Sequence, residues 1–477
     1  MEHLDSILAS ISNFVWGAPM AGLLLLTGLI LTLRTKIIQV RGFAHGVAIT
    51  SGKYDDPAHA GQLTHFQALS AALSATIGIG NIAGVAIAIH NGGPGAIFWM
   101  WVSAFFGMAI KFTECTLAVK YRKIDEDGNV RGGPMYYIEM GLGRWAKPLA
   151  YMFAFCTAIA AFGAGNMVQS NTVAHSLVDA LGISAASEGL FRWGLGAVIF
   201  VLAGIVIIGG IKRIGRVASF LVPIMSIVYV TSALIVLLIK SDQIIPAFNL
   251  IFYHAFNPAA AVGGSAAGVT VWMTISWGLR RGLFSNEAGQ GSAAMAHSTA
   301  KVDQPIREGL VAMLGPFIDT IVICTMTALV IISTGLWNSP ETGAALTMSA
   351  FDAALPLYGR WMVVVGVLLF AFSTILGWSY YGEKGIEYLF GRAAKVPYKW
   401  LYIVFTALGA RLDLVAVWAY ADTANGLMAV PNLVALIGLS GVIVAMTRKY
   451  MGELAQGIHI PYKKQQQLAA GEDLSTG

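Results

Sequence analysis

Charge is what this sequence has least of. It holds 30 Lys and Arg and 25 Asp and Glu in 477 residues, 12% against 56% hydrophobic. Soluble domains carry about 25% charge, so too little polar surface exists to coat a water-soluble globule of this length. The mean hydropathy is +0.69. Cysteine is scarce as well: Cys115, Cys156 and Cys324 all lie in apolar blocks and read as small buried hydrophobes, which excludes a disulfide scaffold. Residues 1–12 hold no Lys or Arg, so the positive n-region of a cleavable signal peptide is missing and the first apolar block is expected to be retained. Motifs are absent too. There is no G-x-x-x-x-G-K-[ST], no H-E-x-x-H, no nucleophile elbow and no Cys/His metal spacing, so neither ATP use nor enzyme chemistry has a visible basis, and no organic cofactor is expected.

What is present is apolar sequence in blocks of membrane-crossing length, about 20 residues each. Eleven candidate spans fall at 14–33, 66–90, 95–119, 149–173, 191–210, 217–239, 262–284, 309–333, 360–381, 400–417 and 426–446. The chain is expected to be an all-α integral membrane protein. Basic residues mark its orientation. Alternate loops collect 25 Lys and Arg on one side and 4 on the other, with Lys111 inside a span. By the positive-inside rule the N-terminus is outside and the C-terminus in the cytoplasm of the cell's inner (plasma) membrane. The net charge of +5 therefore records topology, and a nucleic-acid partner is excluded. Trp99 and Trp101, near a span end, read as interface anchors.

Glycine is plentiful, 54 residues, and unevenly used. Gly78, Gly80 and Gly84 crowd the second span in ATIGIGNIAG at 75–84. Glycine costs about 1 kcal/mol against alanine in a helix interior, so this cluster predicts an unwound stretch. Close helix packing through small residues is the alternative use of the same glycines. The seventh span is interrupted at Trp277-Gly278 and Gly282 and runs into Asn286-Glu-Ala-Gly289. That N-x-A-G repeats Asn81-Ile-Ala-Gly84, 205 residues away. Each copy lies in or just after the first span of a five-span group, and the two groups begin from opposite sides. Inverted repeats with broken first helices are the sequence pointer to the midplane site of a secondary transporter. The implied organisation is a leading helix and loop at 1–63, repeats at 64–240 and 241–447, and a polar cytoplasmic tail at 448–477.

A helix break in lipid must line a polar cavity or be buried in protein. Its N–H groups suit a carboxylate, and its carbonyls suit Na⁺ or an ammonium. Thr76, Gly78 and Asn81 are the candidates there. In the fourth span Asn166 and Gln169 share a face, with Asn171 beyond; Gln169 is the candidate substrate contact, and interhelical bonding is the alternative for all three. Ser373 and Thr374 in the ninth span offer hydroxyls to a hard cation, or bond back to their own helix. Trp277 and Trp378 are positioned to close a pocket. Among ionisable residues, Lys111 and Glu114 are expected to pair at i,i+3. Asp319 is a candidate coupling or gating group. Arg280 and Arg281 are expected at the cytoplasmic end, as a gate with Glu287 or as topology charges. His90 and His297 have no expected role.

The block GGPGAIFWMWVSAFFG at 92–107 resembles the signature of the sodium:alanine (alanine or glycine:cation) symporter family, and the likeness continues through SATIGIGN at 74–81, GGPMYY at 132–137 and SNEAG at 285–289. It covers nearly the whole chain except the tail after about Arg448. The resemblance implies a LeuT-type fold, one extra helix followed by a 5+5 inverted repeat, and Na⁺-coupled uptake of small neutral amino acids such as alanine or glycine. It implies substrate contacts at Thr76, Gly78, Asn81, Gln169, Trp277 and Trp378, and sodium at Thr76, Ser373 and Thr374. The partners expected are the amino acid, Na⁺ and membrane lipid, with no obligatory protein partner. Proton coupling is the alternative mechanism, and an ion channel the alternative class.

Overall fold

The computed structural model describes residues 15–257, 269–412 and 414–469. The signal-peptide expectation at 1–12, the start of the seventh span and the end of the tail lie outside the described residues. Among the described residues seven helices are long and apolar enough to cross a membrane, and one bent pair makes an eighth. The chain is an integral helical membrane protein.

The helices that build the bundle are, in order, α1 Ala18–Arg34, α2 His65–Thr76, α3 Val85–Gly92, α4 Ala96–Lys120, α5 Lys147–Phe162, α6 Val168–Leu181, α7 Ala185–Ile207 and α8 Gly210–Ile239. They continue with α9 Val271–Asn286, α10 Ser292–His297, α11 Pro305–Ala312, α12 Thr325–Ser333, α13 Gly343–Ala354, α14 Gly359–Phe390, α15 Lys395–Gly409 and α16 Leu414–Ala455. Two-residue strands, Lys123–Ile124 and Val130–Arg131, pair antiparallel in the loop after α4.

The expected break in the second span is present. Helix α2 starts on a capping box between Thr64 and Gln67 and stops when Ile77 leaves the helical region at ψ 89°. The chain resumes as a π turn, Gly80–Gly84, leading into α3, and the two halves are bent by 55°. Two further π segments follow, Gly163–Met167 between α5 and α6 and Phe317–Cys324 before α12. Such segments concentrate at functional sites because the widened turn leaves backbone groups and side chains out of helical register.

Other boundaries moved. The ninth segment runs to Phe390, nine residues past 381, since Lys384 and Glu387 pair on its last turns. The tenth ends at Gly409, and α16 begins at Leu414, inside the expected 400–417 span. The indole N–H groups of Trp99 and Trp101 donate to the Ala255 carbonyl and to Thr325 Oγ1.

One end of the bundle, at Lys120, gathers the loops that carry most basic residues. Arg122 donates to the carbonyls of Ala60, Ser298, Ala300 and Val302, and Arg392 pairs with Asp125. Lys395 and Lys399 reach Glu383 at 2.8 and 3.0 Å. The opposite end is marked by Gly92–Gly95 at the turn from α3 into α4.

Candidate functional site

The two N-x-A-G motifs converge on one π segment. Asn81 Nδ2 donates to the Asp319 carbonyl at 3.1 Å and to Asp319 Oδ1 at 2.6 Å. Asn286 Nδ2 donates to Thr320 Oγ1 at 3.1 Å. Both motifs thus hold neighbouring residues of the π segment Phe317–Cys324. A Cβ on Gly80 would stand 3.2 Å from Ser285 Cα, so the break packs closely against the end of α9. Asp319 is the centre of this junction, taking hydrogen bonds from Asn81, Ser285 and Thr320.

The break's own N–H groups are capped by amides. Gly78 N–H donates to Asn81 Oδ1 at 2.9 Å, and Ile79 N–H donates to Gln169 Oε1 at 3.2 Å. Gln169 is held in turn by the Ala164 carbonyl of the second π segment, 2.8 Å from its Nε2. Asn166 and Asn171 behave otherwise. They donate to the carbonyls of Tyr402, and of Gly409 and Leu412, which makes them interhelical clips.

Thr76, Gly78, Gly80, Gln169, Thr374 and Trp378 line one nearly closed cavity together with Glu287 and Phe284. Its volume is about 10 Å³, room for about one water. The hydroxyls of Ser373 and Thr374 lie 3.4 and 3.5 Å from the Ile77 carbonyl, while Ser373 also bonds back to Phe370 at 2.9 Å and Thr76 to Ala72 at 3.3 Å. Of the residues singled out from sequence, the fold brings Thr76, Gly78, Gln169, Thr374 and Trp378 onto one cavity. Asn81 and Ser373 stand just behind it. Trp277 stands apart, stacked by Arg280 and Arg281 at 5.0 and 5.5 Å.

Glu287 is the residue that sequence reasoning placed in a gate rather than in the site. It terminates α9 in the left-handed region at φ 55°. A non-glycine residue there is strained by roughly 1–3 kcal/mol, a cost concentrated at functional positions. The conformation delivers a buried carboxylate to the cavity, which Trp378 also lines, and Ser292 donates to it. The available signal was its place in the second N-x-A-G.

The arginines pair elsewhere. Asp422 on α16 accepts from both Arg280 and Arg281, the latter at 3.1 Å, and all three are largely buried. This corrects both the expected gate with Glu287 and the count of these two residues among loop charges. The Arg281 guanidinium also faces Phe284 at 5.5 Å and Trp418 at 5.0 Å. Beyond Trp418, toward the Gly92 end, lies a cavity of about 670 Å³ reaching Asn91, Asp179 and Thr342.

Lys111 and Glu114 do not pair with each other. Glu114 Oε1 accepts from Asn432 Nδ2 at 2.7 Å and from Gly289 N–H at 3.0 Å, and Lys111 Nζ has no hydrogen-bond partner. His297 does have a role: with His65 it flanks the buried Glu308 carboxylate. His90 bonds only the Glu341 carbonyl, at 2.9 Å.

The chain's likeness to known proteins is long. The sodium/alanine symporter AgcS of Methanococcus maripaludis is 46% identical over 451 residues, 93% of this chain and 97% of that one. The putative sodium/proton-dependent alanine carrier protein YrbD of Bacillus subtilis is 37% identical over 474 residues, 95% of this chain and 94% of that one. Among solved structures, MhsT in complex with L-phenylalanine superposes with a TM-score of 0.56 over 81% of this chain and 98% of that one. At 13% identity this shows a shared fold, the LeuT-type fold. The pattern of the sodium:alanine symporter family, a family of transporters and not of enzymes, matches residues 1–465, and the chain belongs to that family.

Proposed function

We propose that this chain imports small neutral amino acids such as alanine or glycine, together with Na⁺, by alternating access through the cavity at the helix break. The observation that carries the reading is that one small cavity presents both polarities a zwitterion needs. On one side Gln169 lines the cavity and its amide oxygen is held by the Ile79 N–H behind it; with that amide turned aside, the N–H is the position for a substrate carboxylate. On the other the Glu287 carboxylate meets the substrate ammonium, while Thr76 and Thr374 give oxygen ligands to Na⁺, with Ser373 behind them. The small closed volume favours a short side chain. Walls this close admit substrate only by moving apart, and the Phe284–Trp418–Arg281 layer is the partition toward the larger cavity.

The arrangement we infer for the whole chain is eleven spans, one leading helix followed by a 5+5 inverted repeat, with boundaries near residues 64, 241 and 448. The convergence of the two N-x-A-G motifs on the segment Phe317–Cys324 supports it. The Lys120 end, where the basic loops meet, faces the cytoplasm under the positive-inside rule, so the larger cavity opens outward. Sodium is the coupling ion in this reading. A proton is the second reading, favoured by the description of the 37% identical relative as sodium/proton-dependent.

The test is uptake by purified protein in proteoliposomes, with a panel of amino acids and with Na⁺ replaced by K⁺ or by a pH gradient alone. Saturable alanine or glycine uptake that stops in K⁺ is expected. Uptake driven equally by a pH gradient without Na⁺ transfers the assignment to proton coupling, and pore-like unsaturable flux overturns it.

A further inference from the structure

Lys111 is 2% exposed, sits mid-helix in α4 and has no hydrogen-bond partner. A lone buried ammonium costs several kcal/mol unless something uses its charge. Its side chain lines a second cavity of about 10 Å³ together with Leu73, Thr76, Asn286, His297 and Gly315. Thr76 belongs to both cavities, so the cavity that Lys111 lines adjoins the place proposed for Na⁺. Three buried carboxylates, Glu114, Glu287 and Asp319, gather at the end of α9, where Glu114 accepts from the Gly289 N–H and Asp319 from Ser285. One of them has a vacant acceptor: Glu114 Oε2, three residues along the same helix, is also unpartnered, although its Oε1 is bonded twice.

We infer that Lys111 is a tethered cation with two stations, the cavity beside Thr76 and the free oxygen of Glu114, and that Na⁺ at the proposed site displaces it from the first to the second. The inference rests on the proposed sodium site. Two like charges cannot share the Thr76 surroundings without strong repulsion in a low-dielectric interior. A lysine, a compact charge on a flexible stem, can yield where an arginine fork would not. When Na⁺ leaves, the ammonium returns and keeps the carboxylate-rich junction compensated. The empty carrier then reorients without a bound ion.

The test uses the full-length protein in proteoliposomes. Lys111→Met removes the competitor, so the Na⁺ concentration for half-maximal amino-acid binding is expected to fall about tenfold. Net uptake slows, while exchange of internal for external amino acid at saturating Na⁺ on both sides stays within about twofold of wild type. Glu114→Gln weakens the second station and moves the same Na⁺ parameter the opposite way, up by about threefold or more. Lys111→Arg keeps the charge and stays nearer wild type than the methionine variant. A half-maximal Na⁺ concentration unchanged in Lys111→Met, or net uptake and exchange lost by the same factor, overturns the inference. If the methionine variant does not fold, Glu114→Gln decides alone, and an unchanged or lower Na⁺ requirement overturns it. Wild-type binding with no Na⁺ dependence overturns the sodium site and this inference together; Na⁺-dependent wild type with insensitive variants overturns this inference only.

Discussion

Phe284 and Trp418 lie ring against ring, their centroids 5.2 Å apart and planes 32° apart, and they separate the cavity at the helix break from the larger one toward the Gly92 end. Arg281 faces both rings and is tied to Asp422, so an ion pair on α9 and α16 holds an aromatic partition in place. Trp16 adds a third anchor by donating to the Asp422 carbonyl at 2.9 Å.

Asp422→Asn tests this partition. It keeps the shape but takes away the carboxylate that the buried Arg281 guanidinium bonds, and breaking a buried pair in this way costs about 3–5 kcal/mol. The melting temperature is expected to drop. Arg281→Gln combined with Asp422→Asn recovers part of it, with a coupling energy of about 1 kcal/mol or more in the double-mutant cycle. Additive losses rule the gate pair out.

Glu287→Gln preserves side-chain shape and removes the charge. A hydrogen bond to a charged group contributes about 1.5–3 kcal/mol, so alanine binding by calorimetry weakens tenfold or more while the melting temperature moves little. Unchanged affinity removes Glu287 from the ammonium site.

Thr374→Ala deletes one proposed sodium ligand. The Na⁺ requirement for uptake is expected to rise about tenfold, on the energy scale of a charge-assisted contact, with little change in folding. Thr374→Ser restores it. Equal Na⁺ requirements in all three proteins refute the assignment.

Gly78→Ala places a Cβ on top of Thr374 Oγ1. Overpacking of this kind costs about 1–3 kcal/mol. Adding Thr374→Ala removes the atom struck, so the double variant is expected to melt higher than Gly78→Ala alone. If it melts lower still, Gly78 is small for another reason.

His45, on the short helix Phe43–Thr50, bonds the Tyr450 hydroxyl at 2.8 Å. Burial, then the nearby Arg307 and His459, holds its pKa down to about 4 from 6.5. The unfolded chain therefore binds the proton first, and stability rises with pH across this window. The contribution is complete above pH 6.5 and is lost as pH falls toward about 4. Melting temperatures from pH 7.5 to 4 are expected to fall less steeply in His45→Gln; identical slopes would falsify the linkage.

The pattern of residues carried much of this molecule. Glycine spacing located the break within 75–84, because the helix penalty of glycine is local and needs no partner to be known. The signature block and the repeated N-x-A-G located the family and the two segments that meet. The basic loops, though separated in sequence, were recognisable as a set. Pairing was not legible, because which charges meet depends on how helices rotate and cross. Lys111 and Glu114 are one turn apart on α4, yet Glu114 turns to Asn432 and Gly289. Arg281 looked like a loop charge until α16 brought Asp422 beside it, 141 residues away. Glu287 read as a gate until its left-handed backbone turned it into the cavity. Sequence by itself determined that the chain lives in the membrane and that its second span gives way, whereas the seventh, expected to be interrupted at Gly278 and Gly282, runs unbroken from Val271 to Asn286. Tertiary structure decided which polar groups face each other, since a buried charge is satisfied by neighbours in space and not by neighbours in the chain.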